Sequence, residues 1–171
     1  SFDGNITVKD GPRLAVDVSQ NRDHLTINKL SIQDDVSRAT ISMAFLERVL
    51  EVAFSGSLSE RTLDKIFSGY RFRDGWMKGD IRAHIEMDQP MKSSTEGKLE
   101  VDHLSFPWQF GKPFEIDRLS LTAMGKRVKV DSADLRYGDK HFSLTGDVSV
   151  PEDKVLFDLD VSTESLNINE I

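Results

Sequence analysis

The chain has 171 residues, with 22 Lys and Arg against 29 Asp and Glu, for a net charge of −7. That length suits one domain or two tightly coupled repeats. The acidic balance argues against a nucleic-acid partner, whose phosphates need a basic stripe, and against adsorption to an anionic membrane surface. There is no cysteine, hence no disulfide framework and no thiolate metal site, and no apolar run reaches the ~20 residues of a membrane helix.

In chain order, strands with one apolar face dominate, because apolar and polar residues alternate with period 2. After Phe2 to Val8 (FDGNITV), the turn residues Lys9-Asp10-Gly11-Pro12 precede a strand in which Leu14, Val16 and Val18 alternate with Ala15, Asp17 and Ser19. Leu25 to Ile32 (LTINKLSI) follows. Met43 to Ala53 carries a helix-like stripe (Phe45, Leu46, Val49, Leu50, Ala53), but its register within the chain favours strand, turn, strand. A short helix is predicted over 60–67: Ser59 caps it, Glu60 suits its first turn, Leu63, Ile66 and Phe67 share a face, and Gly69 stops it. Asp74-Gly75 reads as a hairpin-type dipeptide, and Trp76 with Met77 as an apolar pair in the core.

The clearest alternation puts Ile81, Ala83, Ile85 and Met87 on one face and Arg82, His84 and Glu86 on the other. Leu99 and Val101 continue the pattern, as do Val128 and Val130 around Lys129. Phe142, Leu144, Gly146 and Val148 alternate with Ser143, Thr145, Asp147 and Ser149. Phe157, Leu159 and Val161 alternate with Asp158, Asp160 and Ser162. Gly138-Asp139-Lys140 and Pro151-Glu152-Asp153 supply turns. Strands joined by short turns predict a twisted, largely antiparallel sheet of the mostly-β class.

The chain also repeats itself. LTINKLSI at Leu25 to Ile32 returns as FEIDRLSL at Phe114 to Leu121, FSGSL at Phe54 to Leu58 as LTGDV at Leu144 to Val148, and FDGNITV as TEGKLEV at Thr95 to Val101. These matches predict two related repeats, residues 1–92 with the short helix and 93–171, forming a single β segment. Each copy switches apolar parity at the same place, across Asn28-Lys29 and across Asp117-Arg118, which is what a β-bulge does. The chain opens on Ser1 inside a strand-like pattern and stops at Ile171, so the expectation is a piece of a longer protein. Repeated β units work through extended surfaces more often than through one catalytic pocket.

No catalytic constellation is legible. His24, His84, His103 and His141 show no zinc-binding spacing, and Asp102-His103 is adjacent in sequence, but an orienting carboxylate must reach the ring across space. There is no GxSxG, GxxxxGK[ST] or GxGxxG. The carboxylate pairs Asp158/Asp160 and Glu100/Asp102 read as solvated sheet face. No metal, cofactor or enzymatic activity is expected. The stretch Phe106-Pro107-Trp108-Gln109-Phe110 aligns Phe106, Trp108 and Phe110, either as a platform for a protein or glycan partner or as packing at the end of a sheet.

Several segments together resemble the AsmA-like family of the bacterial envelope. These are FSGSLSERTLDKIF at Phe54 to Phe67, GWMKGDIRAHIEMDQP at Gly75 to Pro90, the strands from Gly97 to Val150, and the closing SLNINEI at Ser165 to Ile171. The resemblance rests on pattern and spacing across most of the chain. It implies a periplasmic β segment of a protein anchored in the bacterial inner membrane, related to repeating-β-groove proteins that bridge two membranes. In that group a curved sheet forms a trough along which acyl chains slide, with links to phospholipid movement towards the outer membrane and to envelope integrity. Its ligand is a phospholipid or other acyl-chain molecule, with an envelope protein as a possible further partner. The residues that would line the trough are Ile81, Ala83, Ile85, Met87, Leu99, Val101, Val128, Val130, Phe142, Leu144, Val148, Phe157, Leu159 and Val161, with charged residues on a convex back. The same residues would form an ordinary sandwich core if a second sheet closed over them. A structural or scaffolding module, docking a protein or glycan through Phe106 to Phe110, is the alternative.

Overall fold

The computed structural model describes residues 2–21, 24–66, 75–106, 114–151 and 154–163. Its strands are β1 (Phe2–Thr7), β2 (Arg13–Asn21), β3 (His24–Gln33), β4 (Arg38–Leu46), β5 (Val49–Ser59), β6 (Trp76–Glu86), β7 (Ser94–Phe106), β8 (Phe114–Gly125), β9 (Arg127–Tyr137), β10 (Lys140–Ser149) and β11 (Leu156–Thr163). Among the described residues one helix, α1 (Glu60–Ile66), lies between β5 and β6, and one 3-10 turn spans Pro90–Lys92. All eleven strands form one sheet in strict chain order, every pair antiparallel. Among the described residues no second sheet closes over it, so the sheet is open rather than one half of a sandwich.

Short polar turns make this meander possible. The Met43–Ala53 stretch is indeed a hairpin: β4 ends at Leu46, Glu47 turns the chain at φ 52°, and β5 begins at Val49. Gly138, at φ 62°, serves the β9–β10 turn. The helix also forms where expected. The Arg61 amide donates to Ser59 Oγ (3.3 Å), Glu60 occupies the first turn and Lys65 the last; Phe67 lies outside the described residues. In the chain α1 lies between β5 and β6, the strands on either side of the Asp74-Gly75 dipeptide. Asp74 is outside the described residues, and Gly75 is tied to the helix start: Glu60 N–H donates to its carbonyl (2.9 Å) and its own N–H donates to Glu60 Oε2 (2.6 Å).

The two parity switches are bulges. In β3, Asp17 pairs with Lys29 and Val18 with Ile27, so Asn28 is the extra residue. In β8, Ile116 pairs with Leu135 and Arg118 with Asp134, so Asp117 is extra. A third bulge falls in β9, where Ser120 pairs with Ser132 but Leu121 with Val130, leaving Asp131 over. Each extra residue turns a polar side chain outward and returns the next apolar residue to the inner face. The bulged side chains are held there. Asn28 Nδ2 donates to Asp17 Oδ1 (3.0 Å), Arg136 grips Asp117 through Nε (2.6 Å) and a second short bond, and Lys129 reaches Asp131 (2.6 Å).

Glycine interrupts the strands where backbones crowd. Gly56 stands at φ 118° directly opposite Ala39, and a Cβ there would run into the Arg38 carbonyl oxygen and lie 2.9 Å from Ala39 Cα. Gly56→Ala is therefore expected to cost about 1–3 kcal/mol of stability. Gly125→Asn, at a left-handed turn position (φ 63°) with open space around it, is expected to cost only a few tenths. Urea unfolding midpoints of the two variants should separate accordingly; equal midpoints would show that the Gly56 geometry is not required.

Candidate functional site: one apolar face across eleven strands

Residues paired across neighbouring strands share a face, so the register can be followed from one edge of the sheet to the other. One row reads Ile6, Leu14, Ile32, Ala39, Gly56, Gly79, Leu99, Leu121, Val130, Gly146 and Leu159. The next reads Gly4, Val16, Leu30, Ile41, Phe54, Ile81, Gly97, Ala123, Val128, Val148 and Phe157. Neither contains a polar side chain. A third row runs from Leu58 through Met77, Val101, Leu119, Ala133 and Leu144 to Val161. Flanking rows add Val18, Ile27, Met43, Val52 and Ala83, then Phe45, Leu50 and Ile85, and at the other end Leu104, Ile116, Leu135 and Phe142.

All the candidate lining residues that lie in strands, from Ile81 to Val161, thus share this face. Met87 follows β6, is half-exposed, and donates its amide to the Arg48 carbonyl (2.9 Å). The sequence reading missed the contribution of β2 to β5, which is equally apolar. Its signal was the same alternation, visible in Val16, Leu30, Ile41 and Phe54. It also misplaced Trp76, which opens β6 opposite Asp102 on the polar face, beneath the Lys78 ammonium at 4.7 Å from its ring centre; Met77 alone of that pair joins the core.

Exposure along the apolar face is uneven. Ile32, Ala39, Phe54 and Leu58 form a buried cluster on which the helix residues Leu63 and Ile66 pack. Val101, Leu104, Ala123 and Ala133 are buried as well. By contrast Phe157 is 69% and Val161 60% exposed on β11, and Phe2 and Ile6 on β1, Met43 and Phe45 on β4, and Ile85 on β6 are also open to solvent.

Polar groups fix α1 in place. Thr62 is fully buried and donates its hydroxyl proton to Asp34 Oδ2 (2.8 Å). With that proton used, the 2.6 Å contact between Ser37 and Thr62 must have Ser37 as donor, and Ser37 Oγ in turn accepts the Ser59 amide (2.9 Å). The relay runs Ser59, Ser37, Thr62, Asp34, and ends on a carboxylate that also accepts the Val36 (3.0 Å) and Ser37 (2.7 Å) amides. Burial opposes the Asp34 charge, but the bonds from Thr62, Val36 and Ser37 and the nearby Lys65 outweigh it and hold its carboxyl below the ordinary range.

The opposite face is polar. Its central row reads Asn5, Ala15, Ser31, Thr40, Ser55, Asp80, Lys98, Thr122, Lys129, Asp147 and Asp158. Small side chains at Ala44 and Ala53 leave a hollow of about 610 Å³, rimmed by Asn28, Ser42, Glu51, Arg82, His84 and Glu96. There His84 Nδ1 lies 3.3 Å from Glu51 and its Nε2 3.5 Å from Glu86. His103 Nδ1 lies 2.8 Å from the carboxylate of its neighbour Asp102. Among the described residues no three of His, Cys, Asp and Glu converge to hold a metal, and no helix is long and apolar enough to cross a membrane. Of the aromatic platform, Phe106 ends β7 opposite Phe114, while Trp108 and Phe110 lie outside the described residues.

No protein-family model, no curated protein and no solved structure matches the chain.

The acid behaviour follows from these anchors. Asp34 is held below its usual pKa as described, and Asp117 likewise, chiefly by the Arg136 hydrogen bonds. A carboxyl whose folded pKa is depressed contributes stability above its unfolded value of about 3.9, and that contribution is lost as pH falls through the folded value. Stability is therefore expected to drop from about pH 5 downwards, and Asp34→Asn to drop less steeply than the parent chain over the same range. Urea midpoints measured against pH test this; parallel curves would show that Asp34 gains nothing from the relay.

Proposed function

We propose that this chain is a non-enzymatic, periplasmic segment of an AsmA-like protein anchored in the inner membrane, and that its apolar face carries phospholipid acyl chains between inner and outer membrane. The observation that supports this reading most directly is the pair of apolar rows that cross all eleven strands without a polar side chain. An acyl chain moving along such a face exchanges one apolar surface for another and meets no group that needs a hydrogen bond. Each methylene kept from water is worth about 0.8 kcal/mol, so a lipid tail gains several kcal/mol from contact with even part of the face. The task requires no nucleophile, base or metal. An apolar strip left open on a β sheet is otherwise a liability for aggregation, so its extent across the described strands argues for a use.

Site-specific photo-crosslinking in the full chain in its own cells tests the reading. Probes at Ile85 and Phe157 are expected to yield lipid adducts, whereas probes at Arg82 and Asp158, on the polar face, yield none. Ile85→Asp is expected to reduce lipid carriage at least tenfold while shifting the unfolding midpoint by only a few degrees, because Ile85 is 38% exposed. Adducts on neither face of a folded chain, or on both equally, would overturn it.

A further inference from the structure

We propose that α1 is a fixed wedge seated on the apolar face, and that it confines an acyl chain crossing β4 to β6 to the strip of Met43, Phe45, Leu50 and Ile85. The inference rests on the lipid-carrying reading above and assigns the part of the face that the lipid touches there. Along β4 to β6 the apolar face has two ends. At one end lie Ala39, Leu58 and Met77, beneath the helix: Leu63 and Ile66 pack on this cluster, and Ala39 and Leu58 are almost fully shielded. At the other end lie Phe45, Leu50 and Ile85, directly paired across the three strands, with Met43 in the adjoining row; Met43, Phe45 and Ile85 are each more than a third exposed. An acyl chain needs continuous apolar contact. The helix already occupies one end with its own aliphatic side chains, which leaves the other.

The helix is held by more than apolar packing. Thr62, without exposure, and Ser37 and Glu60, nearly so, are buried polar groups on or beside α1. The Thr62 hydroxyl joins Asp34 to Ser37, and Glu60 is bonded through backbone and side chain to Gly75, at the entrance to β6. Sliding α1 aside would strip several buried donors and acceptors of partners at once, which is costly. A helix retained only by Leu63 and Ile66 could give way to a lipid tail, because the tail would replace like contacts with like. The polar relay removes that possibility, since a tail has nothing to offer Thr62 or Asp34.

The test uses the full chain and vesicles of phosphatidylethanolamine and phosphatidylglycerol, with a fraction of the lipid bearing a diazirine in the acyl chain. After illumination, the labelled residues are mapped by mass spectrometry. In the unaltered chain, label is expected on Met43, Phe45 and Ile85, and on Phe157 beyond the wedge, with at least tenfold less on Leu58 and Met77. In Leu63→Ser/Ile66→Ser, and in Thr62→Val, label on Leu58 and Met77 is expected to rise at least threefold while that on Phe157 stays constant. Equal labelling of Leu58 and Phe45 in the unaltered chain would overturn the wedge and leave the lipid-carrying reading standing. No label on any residue of the folded chain would overturn both. If the variants fail to fold, the map of the unaltered chain decides alone.

Discussion

Everything in this structure depends on cross-strand register. Side chains alternate along a strand with period 2, so a slip of one residue sends an entire strand's apolar set to the wrong face. Keeping one face apolar over eleven strands requires that this error be avoided at every pairing. The apolar rows show that it is avoided from Ile6 to Leu159 and from Gly4 to Phe157. At Asn28, Asp117 and Asp131, among other places where the sequence goes out of phase, a bulge absorbs the extra residue and restores the phase. The hydrogen bonds and ion pairs that hold these three side chains lie on the polar face, so the correction places no polar group on the apolar one.

Register also explains the distribution of glycine. Gly56 and Gly79 face each other in one row, and Gly97 stands in the next between Ile81 and Ala123. At Gly56 and Gly97 the backbone takes φ 118° and 114°, which side-chain-bearing residues rarely adopt. The middle of the sheet therefore gives up side chains in return for close backbone approach and local bending. What apolar bulk is missing there is partly supplied by α1, whose Leu63 and Ile66 fill against Ile32, Ala39, Phe54 and Leu58. A helix of seven residues has little stability of its own; it persists because one side is apolar and packed while the other is satisfied by Asp34, Ser37 and Gly75.

The consequence is a sheet with unlike surfaces and unlike regions. Charges on the polar face are largely compensated across strands, as with Arg127 and Asp147 or Lys78 and Glu100. Exposed pairs of this kind contribute little stability, so the fold rests on the apolar rows and the backbone ladder. The apolar face is in turn closed at its α1 end and open at its β4–β6 rim and its β11 edge. The proposed carrier role would call for this combination: enough burial to fold, and open apolar area left over.

Much of this was legible in the sequence, and the reasons are local. Period-2 alternation identified the strands and the apolar set from Ile81 to Val161; the Ser59 cap and the Leu63–Ile66 spacing identified α1; and the parity switches located the bulges at Asn28 and Asp117. Each of these signals lies within about ten neighbouring residues. The bulge at Asp131 was hidden because Asp131 and Ser132 are both polar and look like plain alternation until the partner strand is counted. Trp76 was misread for a different reason: its hydrophobicity suggested the core, whereas its place in the alternation of β6 puts it on the polar face, opposite Asp102. Whether the apolar residues would close into a sandwich or stay open, where α1 would dock, and that Ala44 and Ala53 would hollow the polar face, were decided only in the tertiary structure. The alternation specifies which side of each strand is apolar. What comes to lie against that side depends on contacts between residues far apart in the chain, which a local pattern does not encode.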